Sequence, residues 1–359
     1  MNYRHAEVLA EQDLGESGTK IIDIDVKDPI SRLTLIHRPV GGSNTPIAHP
    51  VKNIVKIELV DGSEVLYSLN GYQGQALNCF DSKQPIIQEV DGRTGGVPMC
   101  YVHLDFGRWM WDEELAFDPK RFKNPQLKLT WNEANYDASC TSHGFMIYAS
   151  VFDEKIISPL GFLMSKLIKS FAPTSGAYEY TDLPTDYPMR KLFVQGLKYG
   201  AGVRGLIEQI RLSEDNDKRI PIDGDVDHLR SFLDEMGGDC IDVIRGNCAF
   251  AASQYYYCTP SNVFTLTAVG DVAARVIAAG APSGGRFWAQ AETGVTGIVV
   301  VARGKNPHGC IGIPFGNQDN LNDWYDVTKL GSLRLRLKGG TSSVAGDEVN
   351  ICTQQLKRY

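Results

Sequence analysis

The sequence is short of positive charge. Its 36 Lys and Arg residues are outnumbered by 43 Asp and Glu, leaving a formal net charge of −7, and this argues against the chain-wide basic surface that phosphate backbones require. Direct, sequence-specific nucleic-acid binding is therefore not expected. Long hydrophobic runs are missing too. The most apolar segment, 159–171, is interrupted by Ser165, Lys166 and Lys169 and is too short to span a bilayer. The opening MNYRHAEVLAEQDLGESG lacks the apolar core of a secretory signal, so a soluble protein made in the cytoplasm is expected.

Catalytic and metal-binding signatures are also scarce. The eight cysteines (Cys79, Cys100, Cys140, Cys240, Cys248, Cys258, Cys310 and Cys352) are widely spaced and form no C-x-x-C pair, which predicts buried free thiols. The seven histidines (His5, His37, His49, His103, His143, His228 and His308) offer no H-x-H or H-E-x-x-H. His308 with Cys310 is the nearest approach to a ligand pair, and an incidental loop histidine is the favoured reading over a cupin-type metal site. No G-x-S-x-G or P-loop is present. GAGVRG, at Gly200–Gly205, matches G-x-G-x-x-G, but a dinucleotide site needs a helix to begin there, and the following LIEQIRL reads as a strand. Asp112, Glu113 and Glu114 have the chemistry for glycoside cleavage, against the commoner role of solvated loop charges. Tyr255, Tyr256 and Tyr257, with Phe250 and Phe264 nearby, suit either core packing or a contact surface. No catalytic, cofactor-binding or metal-binding residue is assigned, and no cofactor.

What is abundant points to β-structure. The 359 residues suit two domains, and 36 Gly, 17 Pro and many β-branched and Tyr residues suit short strands and turns. Alternation predicts strands at 20–26, 31–38, 53–60, 64–69, 99–106, 126–131 and 145–152, with a short helix at 74–80. That order suggests a sandwich or jelly roll. Residues 1–20 lack clear periodicity and read as an N-terminal arm. In SPLGFLMSKLIKSF, Leu160, Leu163, Met164, Leu167, Ile168 and Phe171 recur at helical spacing after Pro159. A linking helix with a proline-containing linker is therefore expected over 158–187, between a first domain at 21–157 and a second at 188–359.

The second half resembles the first. Arg32, Leu33 and Leu35 stand beside Lys191, Leu192 and Val194, and Val55, Ile57 and Leu59 beside Ile207, Ile210 and Leu212. Polar turns follow at 61–63 and 214–217, then a short amphipathic segment in each half. The ends match as well: Phe106-Gly107 beside Phe315-Gly316, and Leu127-Lys128-Leu129 beside Leu333-Arg334-Leu335. Between the amphipathic segment and the Phe106 or Phe315 strand, the first half spends about twenty residues and the second about seventy. An insertion at about 237–304 is expected to project as surface structure. It contains strand-like runs and the Ala-rich DVAARVIAAG.

Through the repeated blocks at 31–69 and 190–222, the end blocks at 99–152 and 309–356 and the segment at 159–171, the chain resembles the double jelly-roll major capsid proteins of tailless icosahedral DNA viruses, including bacteriophages. The resemblance is architectural and carries no diagnostic motif. It implies an all-β fold of two tandem eight-stranded jelly rolls with short flanking helices and a large loop insertion in the second roll. It further implies a non-enzymatic virion protein, made in the host cytoplasm, whose homotrimers form pseudo-hexagonal capsomers in an icosahedral capsid. Its partners would be itself, neighbouring capsomers, other capsid proteins such as a vertex protein, and an internal membrane where one exists. The insertion would face outward and the arm, with Arg4 and His5, inward. The rival reading is a two-domain β-sandwich carbohydrate-binding protein or glycan hydrolase, with Tyr255–Tyr257 and the loop tryptophans as sugar platforms. A metal-dependent bicupin ranks third.

Overall fold

The computed structural model describes all residues except 44, 83, 250–252, 271–275, 279–282 and 293, and leaves out the side chains of 236, 263, 276–278 and 296. The chain opens with β1 (Tyr3–Asp13), β2 (Ser17–Asp23), β3 (Ile30–Val40), β4 (Ile54–Asp61) and β5 (Glu64–Leu69), then helix α1 (Gly71–Asp81) and a short β6 (Ile86–Asp91). β7 (Cys100–Asp105), β8 (Pro125–Asn132) and β9 (Ser142–Phe152) follow. The second half runs through β10 (Gly161–Phe171), β11 (Tyr178–Asp182), β12 (Met189–Gln195), β13 (Ile207–Glu214), β14 (Arg219–Asp225) and helix α2 (Val226–Met236). An inserted series comes next: β15 (Cys240–Ala249), β16 (Gln254–Tyr257), β17 (Pro260–Gly270), β18 (Val276–Ala278), β19 (Arg286–Ala291) and β20 (Val295–Pro307). β21 (Cys310–Pro314), β22 (Leu333–Gly339) and β23 (Val349–Arg358) complete the chain.

The sheets reveal two copies of one topology. The first half forms β1-β9-β3-β7 and β2-β8-β4-β5; the second forms β10-β23-β12-β21 and β11-β22-β13-β14. Substituting each strand by its counterpart converts one order into the other, so the all-β architecture of two tandem jelly rolls is the observed fold. The registers agree residue by residue. Leu33 pairs with Leu104 and Ala149, as Leu192 pairs with Ile313 and Thr353. Register breaks recur at equivalent places: Ile30/Arg32 and Met189/Lys191, Ile54/Lys56 and Ile207/Gln209, Glu7/Leu9 and Leu167/Lys169. Bulges interrupt pairing at specific points, and their repetition supports a duplication.

Alternation explains the strands that are legible. In β3 the odd-numbered Leu33 and Leu35 are buried while Thr34 and Ile36 are partly open, and β8 alternates strictly. Two pairings from sequence need correction. Ile207 matches Ile54 rather than Val55, and Leu335 and Leu337 match Leu127 and Leu129, because they face Leu212 and Ile210 as those face Leu59 and Ile57. The second shift is two residues, which leaves the inward face unchanged. In the polar turn before β14, Asp215, Asn216 and Asp217 all take positive φ, a conformation these side chains tolerate better than most.

Two larger expectations fail. Most of the N-terminal segment read as an arm is β1, paired with β9 from Tyr3↔Phe152 to Asp13↔Gly144; two register shifts in this edge strand break its alternation. The segment read as a linking helix is β10, paired with β23 along its length. Phe162 and Met164 pack into the first roll's core, while Ile168 and Phe171 pack against the second's. A strand covered on both faces loses its two-residue period, and β10 imitates a helical stripe for that reason. The proline-containing linker likewise holds β11, paired with β22.

Each roll has its own core. The rolls are joined where β5 meets β10 at a parallel bridge, Ser68–Lys166, making one continuous eight-stranded sheet. Phe193, on β12 of the second roll, is fully buried in the first roll's cluster. Phe193→Ala is expected to lower the unfolding free energy by about 3–5 kcal/mol in urea titration, as for other large core truncations.

The insertion is not built from the second roll alone. β6, from the first roll, runs parallel to β15 from Ile86↔Cys240 to Asp91↔Arg245, completing the sheet β17-β20-β15-β6. With the small sheet β16-β19-β18 it encloses a third hydrophobic cluster. Of DVAARVIAAG, 271–275 and 279–280 lie outside the described residues, as does Phe250.

Candidate functional site

The most elaborate side-chain chemistry lies where the two rolls and the insertion meet, around α1. Asn70 and Gln73 form a reciprocal capping box that starts this helix after β5. Every residue from Gly71 to Cys79 is buried, so α1 has no solvent face and its polar side chains must find partners within the protein. Gly74 is required by contact: a Cβ there would lie 2.5 Å from Val102 Cγ1.

The partners of α1 come from the other roll. The hydroxyls of Tyr72 and Tyr199 lie 2.7 Å apart, and Gln73 Nε2 donates to Gln195 Oε1 at 3.2 Å. Phe80 covers Gly312, whose Cβ would stand 3.0 Å from the ring. Asp81 accepts from Arg190 at 2.7 Å and from Lys191, and Arg190 also donates to Gln354 at 2.9 Å. All three charged side chains are under one-tenth exposed. Burial alone would raise the Asp81 carboxyl, but the Arg190 and Lys191 charges, with hydrogen bonds from Lys191 and Gln354, outweigh it and hold the group below its usual value.

Beneath the insertion, His308 Nε2 lies 2.8 Å from Gln75 Oε1, and its ring packs on Tyr72 and against His49. His49 Nε2 is 3.8 Å from Asp242 Oδ2 on β15. Burial pushes His49 down to about 3 and Asp242 up to about 7, the latter partly offset by Thr259 N–H. His49 is therefore neutral at physiological pH, and the pair is not a neutral-pH ion pair. In the first roll, buried Glu133 accepts from Asn53 and lies 3.2 Å from His37 Nε2 and 3.8 Å from His143 Nδ1. Among the described residues, no three His, Cys, Asp or Glu side chains converge as metal ligands.

The other sequence candidates are dispersed. Gly200–Gly205 ends in a single 3-10 turn and leads into β13, so no α-helix begins in that loop; the N-terminus of α2 meets it with Asp225 and Asp227, which bind Arg204. His308 and Cys310 flank the tight turn into β21, with His308 engaged as described. Asp112 and Glu114 both bind Arg108, at 2.7 and 2.5 Å, and Glu113 binds Lys155. Each carboxylate thus has a cation, unlike a glycosidase pair spanning a groove. The tyrosine run is divided: Tyr256 is buried against Phe287 and donates to Asn247 O, whereas Tyr255 is exposed under Arg286 and Tyr257 contacts Tyr199. Arg4 pairs with Asp28 and Asp153, and His5 meets Ser150. All eight cysteines are free thiols, seven of them buried. Sequence reasoning missed the junction residues Asp81, Arg190 and Gln354; Lys191 was noticed only as a repeat position.

No protein-family model matches the chain, and no curated protein does. Solved structures do. The crystal structure of the major capsid protein of STIV, Sulfolobus turreted icosahedral virus, aligns with a TM-score of 0.60 at 11% identity, covering 99% of this chain and 98% of that one. The chain has the double jelly-roll fold. The major capsid protein P2 from Bacteriophage PM2 gives a TM-score of 0.54 at 9% identity, covering 99% and 98%. VP54 of PBCV-1 gives 0.56 at 9%, covering 99% and 94%. This double jelly-roll chain thus aligns with those proteins across both rolls, at identities that speak for fold.

Proposed function

We propose that this chain is a major capsid protein of a tailless icosahedral virus, a structural subunit rather than an enzyme. The observation that carries the reading is the pair of rolls with matching strand order and bulges, joined side by side in one chain. A heterologous side-by-side contact that recurs by rotation closes a ring. Two similar rolls per chain let three copies supply six similar positions, the geometry of a pseudo-hexagonal capsomer. The full-length likeness to viral capsid proteins supports the same reading.

In this reading the chain divides into a first roll from β1 to β9, a second from β10 to β23, and an insertion between α2 and β21 that faces away from the shell. The protein is made in the host cytoplasm and resides in the virion, where it meets copies of itself, neighbouring capsomers and other capsid proteins such as a vertex protein. Where the virus has an internal membrane, the ends of the rolls opposite the insertion face it. No helix among the described residues is long and apolar enough to cross a membrane. Direct nucleic-acid contact is not part of the proposal, in keeping with the net charge of −7.

Sedimentation of concentrated protein is expected to give a species three times the 39.6 kDa chain mass, with a hexagonal outline in negative stain. A monomer at every concentration would refute the reading. Saturable binding on a glycan array, with no trimer, would favour the carbohydrate alternative.

A further inference from the structure

We propose that the contact made within the chain between α1 and the second roll is repeated between chains, with α2 of one copy seated on the β1-β9-β3-β7 sheet of the next. This rests on the trimer reading and assigns residues to it. Both helices have 11 residues and follow equivalent strands. Aligned from their first residues, Gln73 corresponds to His228, Leu77 to Phe232 and Phe80 to Glu235. On α1 these positions hold the second roll: Leu77 is 3% exposed and shares a cluster with Phe193 and Cys352, Gln73 binds Gln195, and Phe80 covers Gly312. On α2 the counterparts face solvent, with Phe232 52% exposed.

The receiving face has an equally defined counterpart. Thr34 pairs with His103 and Tyr148, as Phe193 pairs with Gly312 and Cys352. Arg32 likewise occupies the position of Lys191. Thr34, Tyr148, His103 and Arg32 form an open, half-buried face on the first roll. Where Phe80 covers Gly312 inside the chain, Glu235 would meet the imidazole of His103, which burial holds down to about 4 and therefore neutral, near an Arg32 that is already paired with Asp105. Where Leu77 packs with Phe193 and Cys352, Phe232 would lie between Thr34 and Tyr148. The sheet edges agree: β5 and β10 meet within the chain, while their counterparts β14 and β1 each end a sheet among the described residues. Joining β14 of one copy beside β1 of the next continues the same head-to-tail step, and three steps close a ring.

The test combines sedimentation with crosslinking of the full chain. The Tyr148→Cys/Phe232→Cys double variant, oxidised after assembly, is expected to give a covalent trimer on a non-reducing gel that reverts with reductant, while either single variant gives none. The singles control for Cys140, the one native thiol that is not buried. Phe232→Asp is expected to keep the native circular dichroism and thermal transition but raise the concentration for half-trimerisation at least about 30-fold, as loss of an interface hot spot does. If the wild type sediments as a trimer, yet the double variant forms no interchain disulfide and Phe232→Asp assembles normally, this interface is wrong and the trimer reading stands. If the wild type is monomeric at every concentration, both fall.

Discussion

Asp81→Ala is expected to lower the unfolding free energy by about 3–5 kcal/mol in urea titration, the range for breaking a buried ion pair on one side. The reason is the isolation of what remains. Arg190 and Lys191 are 2% and 5% exposed. Without the carboxylate Arg190 would keep its charge out of water beside Gln354, the Gln318 carbonyl and the Trp324 ring, and Lys191, which burial already brings down to about 8, would lose its proton at neutral pH. Replacing all three residues together, as Asp81→Leu/Arg190→Met/Lys191→Leu, should recover most of the loss, because an apolar set leaves no charge behind. A single-variant loss under about 1 kcal/mol would show that water reaches the cations. The acid limb carries a second signature. The Asp81 carboxyl titrates below its unfolded value, so its contribution is present above about pH 4 and is lost as pH falls through the folded value. Asp81→Asn should flatten that part of the stability profile.

Asp242→Asn is expected to act in the opposite direction. Burial raises the Asp242 carboxyl to about 7 against 3.8 in the unfolded chain, so folding favours its protonated form. Its contribution is full below about pH 4 and is lost as pH rises toward 7. A shift of about three pK units corresponds to roughly 4 kcal/mol above pH 7. The surroundings offer no compensating cation, since burial keeps His49 and His308 neutral and Cys100 and Cys258 protonated. An asparagine carries no charge at any pH and can still accept from the Thr259 N–H, which now lies 2.5 Å from Asp242 Oδ2. The variant should therefore be more stable than wild type at pH 8 and nearly equal at pH 4, in melts followed across that range. Equal stability at pH 8 would mean that the carboxylate is solvated or paired in a way this geometry does not provide.

These two aspartates also mark the limit of sequence reading. Nothing about Asp81 or Asp242 as residues distinguishes them from the other acidic side chains, because each acquires its role from a partner more than 15 residues away: Arg190 and Lys191 for the first, Thr259 for the second. The same holds for α2. Its exposed Phe232 is unremarkable as sequence, and acquires meaning only beside the buried Leu77 on the equivalent helix.

By itself the sequence determined the repeated strands whose two faces have different surroundings. In β3, β4, β8, β13 and β22, one face meets a roll core and the other is more open, so side-chain polarity records the two-residue period directly. That period, read twice in the same order, pointed to a duplicated β-sandwich or jelly roll. Tertiary structure alone decided where the rolls join. β12, most of β23 and the first five residues of β10 are buried on both sides at the junction, and a stretch with no solvent face keeps no alternation to read. It also decided that β1 is a strand of the first roll, since an edge strand with two register shifts carries a broken pattern and is held by pairing with β9, on a segment about 130 to 150 residues further along the chain.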